Sequence, residues 1–205
     1  PKLLERTVSL VIENRLDRVV ILGDVKHRVP GLSFQEEREV PHFLNALSKE
    51  ATVEIVPGNH DCGLRKLVPK IKMHKSSGFM LDDVYLMHGQ TWPSKDFLDA
   101  THVMMGHNHP LVGFWDKLGY VWRERVWVKA GLVKSRIEAK YGSHDSMPRA
   151  VIMPAYNDMT GGRALNSKDD TGFMGPIGGC IRKSSTEIYM LDGTHIGKLS
   201  GLRKI

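Results

Sequence analysis

Cysteine is nearly absent from this chain: Cys62 and Cys180 are the only two in 205 residues. One bridge would be the maximum, so a disulfide framework is excluded, and reduced thiols in a cytoplasmic location are expected. Long apolar runs are missing too. Nothing approaches the ~18 uninterrupted apolar residues of a membrane helix, so no membrane span is expected. The opening residues Pro1-Lys2-Leu3-Leu4-Glu5 do not form a signal peptide. No internal repeat, low-complexity tract or linker interrupts the chain, so residues 1–205 are expected to form a single domain. No motif specifies an oligomeric state.

What is present is a globular composition, with 41% hydrophobic and 25% charged residues, enough to build a core. The net charge is +6 and the isoelectric point about 9.3. That charge is unevenly spread. Residues 1–116 hold 14 basic and 15 acidic side chains, and residues 117–205 hold 15 and 8. The basic excess belongs wholly to the second half, which suggests an anionic partner.

In the first half, short apolar runs alternate with helical patterns. Leu3, Leu4, Val8, Val11 and Ile12 recur at helical spacing, so residues 2–15 read as an amphipathic helix. A second helix is expected within 36–49, with Pro41 suited to its first turn. Strands are expected at 18–22, 52–56, 84–87 and 102–105, with a short helical segment at 94–100. In the second half, 111–115 and 120–128 read as a hairpin, and 149–153, 187–191 and 195–199 as further strands. Asp192-Gly193 marks the turn between the last two. Residues 157–180, rich in Gly, Asn, Asp and Ser, read as a long loop, a kind of segment that is usually functional or mobile, with capping of a ligand site as one role open to it. The alternation argues for an α/β architecture.

In such folds ligands collect beyond the carboxyl ends of the strands. The four early strands end in Gly23-Asp24, in Gly58-Asn59-His60-Asp61, in His88-Gly89 and in Gly106-His107-Asn108-His109. Each piece alone is weak, since Gly-Asp is common and a lone His is more often structural. Together they offer carboxylate, amide and imidazole donors, which suit Mn²⁺, Fe, Zn²⁺ or Ni²⁺. Two such ions can clamp a phosphoryl group for in-line displacement, and a separate imidazole can protonate the leaving oxygen.

This ordered series resembles the calcineurin-like metallophosphoesterase superfamily. More closely, Gly23-Asp24-Val25-Lys26-His27, Met153-Pro154-Ala155-Tyr156-Asn157, Gly161-Gly162 and Asn166 resemble prokaryotic phosphoesterases related to the DNA-ligase-associated branch. The resemblance implies a β-sandwich of two mixed sheets flanked by helices, in four layers. It implies two divalent metals, Mn²⁺ first, supplying a metal-bound hydroxide that attacks a phosphoester. Asp24 would bridge the metals, Asn59, His88 and His107 would complete one site, and His109 would belong to the other. His60 would protonate the leaving group, with Asp61 orienting it. The pattern departs at one point: the Asp-x-His that opens the family series does not occur before Gly23. We expect the chain to start after the strand that carries this motif.

Further candidates are weaker. His27, Lys26 and Arg28 follow Asp24 and are expected near a phosphate, with surface charge as the plain alternative. Trp92 is a candidate pocket wall, and Cys62 a small buried side chain. The basic run 123–140 suits a nucleic-acid backbone or a solvated face. The leading expectation is therefore a metal-dependent phosphodiesterase acting on a nucleotide, nucleic acid or other phosphoester. The alternatives are a nuclease of DNA repair and a degenerate metal- or nucleic-acid-binding module without catalysis.

Overall fold

The computed structural model describes residues 2–169 and 172–205. Pro1, on which the expected upstream strand rests, and residues 170 and 171 of the long loop lie outside them. The chain packs as two compact units, Pro1–Ser76 and Ser77–Ile205. No helix among the described residues is long and apolar enough to cross a membrane.

In the first unit, helix α1 (Lys2–Glu13) leads into strand β1 (Arg18–Ile21), helix α2 (Phe34–Leu47), strand β2 (Thr52–Ile55), the single turn α3 (Leu64–Leu67) and the short strand β3 (Lys72–Met73). The strands form a parallel sheet in the order β1-β2-β3, with Arg18 opposite Thr52 and Glu54 opposite Lys72. The crossover segments make parallel pairing possible. Val11, Leu44, Leu47, Ile55 and Leu64 pack into one core. Each such fully buried aliphatic side chain is worth about 2 kcal/mol of transfer free energy.

Helix α2 starts earlier than Pro41 suggested. Ser33 is its N-cap and forms a capping box with Glu36, which fixes the start at Phe34 and leaves Pro41 inside the helix. The box satisfies amide donors that have no partner within the helix, and this local chemistry outranks the proline signal.

The middle strand carries a charged side chain into the interior. Glu54 is 4% exposed. It pairs with Arg18 at 3.0 Å, with Lys72 at 3.1 Å and with the Nε2 of His74. Burial pushes its pKa up, but the hydrogen bonds from His74, Arg18 and Lys72 together outweigh burial and hold the carboxyl at about 2.

In the second unit, β4 (Phe79–Leu81), β5 (Val84–Met87), β6 (His102–Met105), β7 (Pro110–Trp115) and β8 (Val121–Ala130) precede helix α4 (Lys134–Tyr141). Strands β9 (Arg149–Ile152) and β10 (Arg163–Ala164), the turn α5 (Gly175–Gly178), and strands β11 (Glu187–Met190) and β12 (His195–Lys198) complete it. The nine strands form a mixed sheet in the order β10-β7-β8-β9-β6-β5-β4, with β11 on β8 and β12 on β11. Both expected hairpins form. In the first, the Asp116 carboxylate accepts from Leu118 and Tyr120 amides at 2.8 and 3.0 Å and shapes the turn. The 157–180 stretch is less bare than expected, since it contains β10 and α5. Tyr85, Met87, Phe97, Met105, Ile137, Ile152 and Ile177 are fully buried at the centre.

Candidate functional site

In the first unit, two loops leave the parallel sheet side by side and are tied by one carboxylate. Asp61, 6% exposed, accepts the backbone N–H groups of Asp24 and Gly58 at 2.8 Å through Oδ2. Its Oδ1 accepts from Val25 at 2.9 Å and more weakly from Lys26 at 3.4 Å. Asp24 itself accepts the His60 amide at 3.0 Å through Oδ1. The loops approach so closely that a Cβ on Gly58 would stand 2.2 Å from Asp24 Oδ1. Only glycine fits there.

Asp61 was expected to orient His60. Its oxygens instead face backbone amides, and the His60 ring is held elsewhere. His60 Nδ1 lies 2.6 Å from the His27 carbonyl oxygen. A carbonyl only accepts, so Nδ1 carries the proton and donates. The His27 ring also stacks on His60, with centroids 5.9 Å apart.

Of the two cations expected near a phosphate, Lys26 turns into its own loop. Lys26 is 3% exposed, and its ammonium donates to the Arg28 and Gly31 carbonyls at 2.6 and 2.9 Å. Arg28 and His27 are exposed. Their backbone amides donate to Glu36 Oε1 at 2.8 and 2.6 Å. Burial works to raise the Glu36 pKa. The amides of Arg28, Ser33 and His27 and the Ser33 hydroxyl lower it by more, to about 2. Asn59 is exposed, and so is Cys62, contrary to its expected burial. Cys62 follows directly on the tightly bonded Asp61, in the loop rather than the core.

In the second unit, His88 follows β5 and is 1% exposed. Its ring meets the His107 ring edge to face, 5.0 Å between centroids. His107 and His109 have φ of 64° and 42°, and Asp24 of the first unit has φ 53°. Only five non-glycine residues among those described have positive φ, so three of the five are candidate ligands. Such strain costs about 1–3 kcal/mol and collects at functional sites. Trp92 is partly buried against the core of the second unit. It packs edge to face on Tyr141 at 5.9 Å, under the Lys140 ammonium.

The long loop docks on these histidine loops. Asn108, 6% exposed, accepts from the Met174 amide at 2.6 Å and donates to the Met174 carbonyl at 3.4 Å. His109 Nδ1 lies 3.2 Å from the Gly161 carbonyl oxygen. Gly175, at φ 77°, lies so close that a Cβ would stand 2.1 Å from the Gly89 oxygen. Asn108 and Glu36 were missed by sequence reasoning. Glu36 carried a legible signal, the Ser-x-x-Glu capping pattern; Asn108 carried only its place between two candidate ligands.

In the second unit the adjacent His88 and His107 imidazoles are donors of the kind that suit a first-row divalent cation; in the first unit, taken by itself, Asp24 offers a carboxylate of the same class. No family profile matches the chain, and neither does any curated protein. Among solved structures there is a match. The chain shares its fold with Pseudomonas putida nuclease MPE. The TM-score is 0.54 at 19% sequence identity, over 91% of this chain and 73% of the other. At this identity the likeness is one of fold. The expected α/β class, with multi-stranded sheets and flanking helices, is the class observed.

Proposed function

We propose that this chain is a phosphoester hydrolase of the calcineurin-like metallophosphoesterase type, working with two divalent metal ions, Mn²⁺ first and Fe, Ni²⁺ or Zn²⁺ as alternatives. Asp24, Asn59, His88, His107 and His109 are the ligands. When bound, the ions supply Lewis acidity toward the phosphoryl oxygens. The observation that carries this reading is the concentration of backbone strain on Asp24, His107 and His109, three residues already singled out by the motif series.

The chain's own acid is His60. With Nδ1 held by the His27 carbonyl, Nε2 is the nitrogen from which the imidazolium gives a proton to the leaving oxygen, returning to the neutral Nδ1–H form. Asp61 acts one step back, by fixing the backbone of Asp24 and Gly58.

A nucleic-acid phosphodiester is the favoured substrate, with a DNA-repair nuclease as the specific form. It is supported by the basic excess of residues 117–205 and by the activity named for the P. putida protein of shared fold. The test is hydrolysis of bis(p-nitrophenyl) phosphate and of DNA with Mn²⁺ added or chelated. Hydrolysis of both that chelation abolishes and Asp24→Ala lacks is expected. Chelator-resistant hydrolysis, or none, would overturn the reading. For the DNA substrate, rates should fall steeply with salt.

A further inference from the structure

The loop that holds His60 is itself held, and by a residue outside the motif series. Glu36 sits in the first turn of α2. Its Oε2 accepts from the Ser33 amide at 2.8 Å and the Ser33 hydroxyl at 2.9 Å. Its Oε1 accepts from the His27 and Arg28 amides at 2.6 and 2.8 Å. A capping box needs only the first oxygen. The second reaches across the 28–33 turn and clamps the peptide on either side of His27. That same His27 supplies the carbonyl that receives the His60 Nδ1–H and the ring that stacks on it.

We infer that Glu36 is a positioning residue for His60: its carboxylate fixes the His27 backbone, which fixes the tautomer and tilt of the His60 imidazole. The inference rests on the phosphoesterase reading for its catalytic consequence, though not for the tautomer itself. With the His27 carbonyl in place, the neutral ring carries its proton on Nδ1, and Nε2 is the nitrogen that gains and gives the second. An unheld imidazole carries the proton on either nitrogen, and a displaced acid loses the alignment that proton transfer requires. Lys26 supports the same turn from inside, through the Arg28 and Gly31 carbonyls, so the turn stays folded when Glu36 is changed while the His27 peptide gains freedom.

Three variants separate this role from helix capping. Ser33→Ala removes the cap hydroxyl and keeps the Oε1 clamp. Glu36→Gln keeps a capping side chain but has one oxygen where the carboxylate has two. Glu36→Ala removes both functions. Two readouts are taken on the full chain: the ¹⁵N shifts of the His60 ring at a pH where it is neutral, and Mn²⁺-dependent hydrolysis of bis(p-nitrophenyl) phosphate resolved into kcat and KM. Wild type and Ser33→Ala should show the Nδ1–H form and similar kcat. Glu36→Gln and Glu36→Ala should gain the Nε2–H form and lose about tenfold to a hundredfold in kcat, part of what a general acid contributes. Their KM should stay within about twofold.

If Glu36→Ala does not fold, Glu36→Gln carries the test alone. An active wild type whose Glu36→Gln variant matches Ser33→Ala in both tautomer and kcat overturns the role of Glu36 and leaves the phosphoesterase reading standing. A wild type that binds Mn²⁺ and hydrolyses nothing overturns that reading, and the catalytic role of Glu36 with it.

Discussion

The Asp61 carboxylate accepts the backbone N–H of Asp24 at 2.8 Å, across a sequence separation of 37 residues. The same carboxylate holds Gly58 and Val25, so one buried side chain sets where two loops leave the sheet. Removing it leaves several partly buried amides without their acceptor, each costing about 1 kcal/mol. Asp61→Ala is expected to lose roughly 3 kcal/mol in urea unfolding and to bind Mn²⁺ more weakly by calorimetry. A variant with wild-type stability and wild-type metal affinity would show that Asp61 does not hold the loops.

Glu54 predicts the acid limit of the first unit. Its pKa is about 2, against 4.5 for an ordinary glutamate. The unfolded chain therefore takes up this proton at a higher pH than the folded one. The stabilisation is fully present above about pH 4.5 and is lost as pH falls through about 2. A shift of this size corresponds to about 3 kcal/mol. Unfolding free energies of wild type and Glu54→Gln, measured from pH 5 down to pH 2, should converge as pH falls. A constant gap across that range would contradict this account.

Asn108 predicts how the long loop is held. Its side-chain oxygen receives the Met174 amide in a partly buried setting, so Asn108→Ala removes that acceptor. Loss of about 1 kcal/mol of local stability follows. Limited proteolysis should cut within 157–180 faster in Asn108→Ala than in wild type, with cleavage elsewhere unchanged. Equal cutting rates would show that the loop docks without Asn108.

The strand ends and their polar residues were legible because each strand is a short β-branched or apolar run closed by a glycine, a proline or a histidine-glycine pair. Runs such as Val19-Val20-Ile21 and Val53-Glu54-Ile55 announce themselves by pattern, even with Glu54 inside the second. What pattern does not carry is side-chain direction. Lys26 and Arg28 look alike beside a candidate phosphate site, yet Lys26 turns inward onto two carbonyls while Arg28 faces solvent. Asp61 next to His60 reads as its partner, but neighbouring side chains in a tight turn diverge, and the partner of His60 comes from His27, 33 residues earlier. Pro41 misled for a related reason: its fixed φ suits a helix start, but the capping box at Ser33 and Glu36 had already started the helix.

The central claim is that His60 gives its proton to the leaving oxygen of a phosphoester. The most direct measurement compares Mn²⁺-loaded wild type and His60→Ala, with equal metal content verified, on phosphodiesters of increasing leaving-group pKa. The account predicts a loss of about 10²–10⁴ in kcat for alkyl leaving groups and a much smaller one for p-nitrophenolate, which departs without a proton. Equal rates for the two proteins on every substrate would contradict it.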